Sequence, residues 1–101
     1  ISNIQVFDVN PDNTVSNGRF FCSVQPPIPD GFRVDTDGRI YTTAGDGIQV
    51  FSTSGDLLGK ILMDPHPANC TFGDRDRGTL YITAHESVYR IKLGSKGAAH
   101  C

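Results

Sequence analysis

The side chains able to do chemistry are few and cluster in short connecting stretches: Asp30 in Pro29-Asp30-Gly31, His66 between Pro65 and Pro67, Asn69, and His85-Glu86. A carboxylate could ligate a cation or orient a water, and an imidazole could line a substrate pocket. By spacing alone Asp30-Gly31 reads as a turn that opens a strand, and His66 as a structural residue between prolines. Asp35-Thr36-Asp37-Gly38 matches the start of a calcium loop, but no Glu follows at the twelfth position, so it reads as a hairpin turn. Asp74-Arg75-Asp76-Arg77 reads as a solvated turn. His100 falls in a Gly/Ala tail and has no assigned role. No Ser/His/Asp arrangement or phosphate loop stands out.

The three cysteines, Cys22, Cys70 and Cys101, allow at most one internal disulfide. Their odd count and the apolar runs around Cys22 and Cys70 favour buried thiols acting as small hydrophobes over a disulfide framework. No zinc-type Cys/His spacing occurs. Asn69-Cys70-Thr71 matches a glycosylation sequon, a motif common by chance.

These residues need a scaffold, and composition indicates which. The 101 residues carry a net charge of −2, which is the size of one small domain and excludes a strongly basic nucleic-acid binder. The apolar runs are too short to span a membrane. Acidic residues are ten Asp and only Glu86, beside eleven Gly and six Pro. Asp, Gly and Pro serve turns and Glu serves helices, so many short strands and almost no helix are expected. Strand-like runs fall at 3–9, 18–24, 31–36, 39–44, 47–53, 57–63, 69–73, 79–84 and 87–93. Turn residues separate them, including Asn10-Pro11-Asp12-Asn13, Asn17-Gly18, Asp37-Gly38 and Asp46-Gly47.

The chain also repeats. Ile4-Gln5-Val6-Phe7 recurs as Ile48-Gln49-Val50-Phe51, and Arg39–Ala44 aligns with Thr79–Ala84 at an offset of about 40. A period of about 40 to 44 residues with four strands per unit is the signature of a β-propeller blade. With strands labelled a to d outward, the chain reads c-d, a-b-c-d, a-b-c. Residues 1–93 are thus expected to form a partial all-β propeller, one full blade at 29–63 flanked by partial blades, and 94–101 a flexible C-terminal tail. Such a piece cannot close a ring, so the remaining blades, or further copies of this chain, are expected as partners. The start at Ile1 suggests a processed or excised piece. Connectivity puts 25–30, 45–46, 64–68 and 85–86 on one face, the less regular one, where a site is expected.

The run Ile28-Pro29-Asp30-Gly31-Phe32-Arg33-Val34-Asp35, continued through Asp37-Gly38 to Tyr41, resembles a signature of the gluconolactonase family, which includes regucalcin. Asn69-Cys70-Thr71-Phe72-Gly73 and Thr79–Thr83 look like that family's final blade. The resemblance implies the C-terminal third of a six-bladed propeller with a divalent metal, commonly calcium, at one end of its channel. It also implies hydrolysis of sugar lactones or related esters, with the isolated piece inactive. It makes Asp30 a metal ligand and the general base, and leaves the other ligands outside this sequence. Asn69 and His85 are carried as substrate-binding candidates on the same face. The reading of another class is a non-catalytic propeller fragment serving as a binding or structural module.

Overall fold

A computed structural model describes residues 2–98 and contains nine strands in three antiparallel sheets. The first sheet pairs β1 (Asn3–Val9) with β2 (Val15–Ser23). The second runs in the order β3 (Phe32–Val34), β4 (Ile40–Ala44), β5 (Gly47–Phe51), β6 (Leu57–Leu62). The third comprises β7 (Asn69–Gly73), β8 (Thr79–Ala84) and β9 (Ser87–Lys92). The strands therefore follow the c-d, a-b-c-d, a-b-c order. Among the described residues there is no helix, and so none long and apolar enough to cross a membrane.

Two apolar seams hold the sheets face to face. Ile4, Cys22 and Val24 of the first sheet and its trailing segment meet Ala44 and Phe51 of the second. Tyr41 and Ile48 meet Cys70, Phe72, Leu80 and Ile82 of the third. The Tyr41 and Phe72 rings pack edge to face at 5.1 Å, an arrangement favoured by their quadrupoles. The second sheet is thus covered on both faces. Its central strands β4 and β5 are buried along almost their whole length, the pattern of a strand with no solvent side. Every residue of β9 is exposed.

Two expectations change on contact with the structure. Asn17-Gly18 is not a turn but lies within β2. The hairpin loop is instead Asn10–Thr14, closed by Asn10 N–H donating to the Thr14 carbonyl at 2.8 Å and by Thr14 N–H to Asp12 Oδ1 at 3.1 Å. Asn17 takes φ +55° where the β1–β2 register slips, and a Cβ at Gly18 would lie 2.4 Å from the Phe7 ring. The turn chemistry there makes a bulge.

The first part of the expected tail is also tied down. Thr36 N–H donates to the Lys96 carbonyl, Gly97 N–H to that of Arg77, and Ala98 N–H to that of Val34. These bonds satisfy the outer backbone edge of a short strand and stitch the second sheet to the third. His100 and Cys101 lie outside the described residues. Cys22 and Cys70 are buried free thiols, and burial pushes the Cys70 thiol up to about 11.

Candidate functional site

Asp30 ends the loop into β3, and β4 fixes where it sits. The hydroxyl of Thr43, buried completely, accepts from Asp30 N–H at 2.9 Å and from Gly31 N–H at 3.1 Å. Thr43 N–H in turn donates to the Gly31 carbonyl at 3.0 Å. One side chain thus clamps both amides of the turn, and among the described residues the Asp30 carboxylate takes no hydrogen bond. It stands exposed at the sheet end, available to a ligand.

Gly31 has a packing reason. A Cβ there would fall 2.0 Å from Asn69 Oδ1, so the innermost strands of adjacent sheets approach closely only because residue 31 lacks a side chain. Asn69 opens β7, and its Oδ1 accepts from Cys70 N–H at 2.8 Å. It is therefore beside the Asp30–Gly31 turn. It lines, however, a separate recess of about 160 Å³ with Cys70, Thr71, Tyr81 and Thr83.

His85 does reach the Asp30 side. Asp30, His66, Pro67, Ala68 and His85 surround one recess of about 250 Å³. Asp30 and His66 also border a neighbouring one of about 380 Å³ with Pro27 and Ile28. The His66 and His85 rings meet edge to face at 5.9 Å. His66, read from sequence as a structural residue between prolines, is thus part of the site. Thr43 was not singled out at all. The repeat held a signal for it, since Thr43 and Thr83 occupy equivalent positions and the Thr83 hydroxyl also points to the turn partner, 3.5 Å from the Asn69 carbonyl. A larger groove, about 610 Å³, lies elsewhere, between Leu58–Ile61 and Leu93–Ser95, and its polar groups are already engaged: Arg39 and Tyr41 bond Asp35, Tyr41 also meets Ser95, and Lys60 pairs with Asp46.

The aspartates of the other face serve structure. Asp35, buried, accepts from Asp37 N–H and Arg39 N–H at 2.9 Å each, from Arg39 Nε at 2.7 Å and from Tyr41 Oη at 2.9 Å. Burial opposes its charge, but the bonds from Arg39, Tyr41 and the backbone outweigh it and hold the carboxyl below its usual range. Asp76 pairs with Lys92 at 2.8 Å, and that bond holds its carboxyl well below the ordinary value.

No three His, Cys, Asp or Glu side chains among the described residues gather closely enough to hold a metal ion. Calcium takes roughly six to eight oxygens. Asp30 suits one such position, and the described residues do not complete a site around it.

Comparison with known proteins identifies relatives of the chain and of its fold. The SMP-30/gluconolactonase/LRE-like region matches residues 2–86. Lactonohydrolase oryH of Aspergillus oryzae is 31% identical over 97 residues, covering 95% of this chain and 21% of the relative. The gluconolactonase of Zymomonas mobilis is 35% identical over 72 residues, covering 69% of this chain and 20% of the relative. Among solved structures, a gluconolactonase from Xanthomonas campestris superposes with a TM-score of 0.83 at 35% identity, over 90% of this chain and 30% of that one. A luciferin-regenerating enzyme gives 0.86 at 26% identity, over 96% and 40%. The chain thus spans about a fifth of the length of the curated relatives and about a third or more of the solved ones.

Proposed function

The chain belongs to the SMP-30/gluconolactonase/LRE-like family, and we propose that it supplies one end of the active site of a lactone-hydrolysing β-propeller. The observation that carries this reading is the Asp30 carboxylate, unpartnered among the described residues, exposed, and clamped through its backbone by a buried hydroxyl. A carboxylate whose backbone is held while its charge stays free suits a ligand or base.

In this reading the remaining blades come from the rest of the protein or from further copies of the chain. Nine strands on about a third of a solved relative's length scale to about 27 strands, or six to seven four-stranded blades. The exposed edge of β9 and the uncovered face of β1–β2 are where other blades would join. Asp30 would act as one ligand of a divalent cation, calcium by its all-oxygen chemistry. When bound, such a cation polarises a lactone carbonyl and makes a bound water more acidic. The chain's own part is to hold the carboxylate where it orients the attacking water and accepts its proton. Thr43 keeps the turn in place, and Asn69 closes the gap beside Gly31. The isolated chain, with one carboxylate, would be inactive.

The test is lactone hydrolysis and calcium affinity in the complete protein. Asp30→Asn should remove most activity and weaken calcium binding, since it neutralises ligand and base together. Asp37→Asn, at the opposite turn, should leave both near wild type. Equal losses in the two variants, or full activity in Asp30→Asn, overturn the assignment.

A further inference from the structure

Residues 25–31 make up most of the connection from β2 to β3, and the β4–β5 hairpin grips that loop at both ends. At the far end the Thr43 hydroxyl takes the Asp30 and Gly31 amides. At the near end Gly45 N–H donates to the Pro26 carbonyl at 3.0 Å, and Gln49 Nε2 donates to the Gln25 carbonyl at 2.7 Å. A Cβ at residue 45 would lie 2.4 Å from the Pro27 carbonyl oxygen, so the hairpin comes this close only with glycine there. Among the described residues no hydrogen bond reaches 27–29, of which Pro27 and Ile28 border the recess shared with Asp30 and His66. The path of that stretch is therefore set by its two anchored ends.

Gln49 is the unusual member of this grip. It lies in the middle of β5 and is 1% exposed. Its Nε2 also donates to Asp46 Oδ1 at 3.0 Å, while Lys60 Nζ holds the other oxygen of that carboxylate at 2.9 Å. A line of bonds thus runs from β6 through Asp46 and Gln49 to the loop. A strand position covered by a neighbouring sheet suits a β-branched or aromatic side chain, and burying an amide is costly unless its bonds are met. At the equivalent register position of the third sheet the residue is Tyr89, 41% exposed, and among the described residues it makes no hydrogen bond to the connection into β7. The buried amide therefore belongs to the one sheet whose incoming loop carries Asp30.

We propose that Gln49 is a positioning residue, a latch on the Gln25 carbonyl that fixes the path of the Asp30 loop from its near end. Thr43 holds the two amides at the far end but cannot by itself set the course of the residues before them. With the latch open the loop can pivot about Thr43, which moves the Asp30 carboxylate and the Pro27–Ile28 rim together. A displacement of about 1 Å in a catalytic group can cost as much as a hundredfold in rate. The proposal rests on the lactonase reading only where turnover is the measurement.

The experiment compares Gln49→Met with Ile82→Val in the complete protein. Gln49→Met keeps the length of the side chain and deletes both donations. Ile82→Val trims the seam between the second and third sheets, away from the loop, and should lower the denaturation midpoint by a similar amount. Amide hydrogen exchange at Asp30, Gly31 and Gly45 should quicken about tenfold in Gln49→Met, the worth of one lost hydrogen bond read as a local opening. The same amides should keep their wild-type rates in Ile82→Val.

Turnover separates a latch from a merely structural glutamine. The kcat for lactone opening should fall about tenfold in Gln49→Met, in step with the loop opening, and stay near wild type in Ile82→Val. Gln49→Glu, which keeps the shape but sets a carboxylate against the Gln25 carbonyl and Asp46, should quicken exchange at least as much as Gln49→Met. Unchanged exchange at the three amides in Gln49→Met, or equal changes in Gln49→Met and Ile82→Val, overturns the proposal. Faster exchange with unchanged kcat also overturns it, since the loop would then be loosened without displacing the site. The expected exchange pattern in a protein that opens no lactone supports the latch and sinks only the lactonase reading.

Discussion

The second and third sheets carry equivalent residues about 40 positions apart, and these residues meet different surroundings. Tyr41 and Tyr81 each donate from the phenol to an aspartate of the preceding turn, Asp35 and Asp74. Tyr41 is 5% exposed between two sheets, and its aspartate is 2% exposed. Tyr81 is half-buried and Asp74 lies in solvent. Thr43 is buried and clamps the Asp30 turn, whereas Thr83 is exposed and reaches the Asn69 carbonyl only at 3.5 Å. The same strand plan thus gives a partition covered on both faces and a sheet covered on one. Position within the stack, more than local sequence, decides what a bond is worth.

Breaking the buried aspartate is the most severe test. Asp35→Ala would leave two amides unpaired and remove one partner each from Arg39, which keeps Asp37, and from the Tyr41 hydroxyl, which keeps Ser95, and should cost about 3 kcal/mol or more in the complete protein, the penalty for several buried donors losing their acceptor. Asp76→Ala, at the matching turn of the third sheet, should leave the denaturation midpoint near wild type, because its partners Lys92 and Lys96 are exposed. Urea unfolding of both variants compares them directly, and similar losses would remove the distinction drawn here.

A smaller contrast concerns apolar burial. Ile48, fully buried in β5, should lose about 2–5 kcal/mol on truncation to Ala. Val88, 69% exposed on β9, should lose little if its face is open. A comparable loss at Val88 in the complete protein would sharpen the comparison in another way, by showing that a further blade or copy covers the third sheet.

Thr43→Val keeps the shape and deletes the hydroxyl that accepts two amides. It should cost about 1–3 kcal/mol, the penalty for leaving buried donors unpaired, and should lower kcat for lactone opening along with it. Thr83→Val should change both little. Equal effects would mean that the Thr43 clamp does not position Asp30.

The smallest expected effect is on pH. Asp35 is held below its ordinary range in the folded protein, so its contribution is complete above the unfolded value of about 4 and is lost as pH falls from there through the folded value. Melting temperature measured downward from about pH 5 should fall more steeply for wild type than for Asp35→Asn. Parallel slopes would show that Asp35 carries no such linkage.

The strand plan was legible because two local signals agreed. Alternating β-branched and aromatic residues set each strand, and Asp/Gly turns set the spacing. Eight of nine expected runs lie within about two residues of the observed strands. The exception, β2, began early because Asn17-Gly18 carries turn chemistry but sits in a bulge, and a bulge and a turn draw on the same residues. The backbone bonds of Lys96, Gly97 and Ala98 were not legible because Gly94–Ala98 is bland by composition and those bonds go to Thr36, Arg77 and Val34, distant in sequence. Pro-Asp-Gly marked Asp30 as a turn residue, and only the family resemblance made it a ligand candidate. His66 was not legible as a site residue, since two flanking prolines look structural wherever they occur.

The sequence by itself determined the all-β class, the four-strand period and the face on which the irregular loops gather. Those follow from backbone preference and chain connectivity, which act over a few residues at a time. Tertiary structure alone decided that Thr43 holds the Asp30 turn, that Asn69 requires glycine at 31, that Asp35 is a buried hub, and that His66 meets His85. Each of these depends on which sheet lies against which and on burial that makes a polar bond costly to lose, and neither is encoded in any single stretch of the chain.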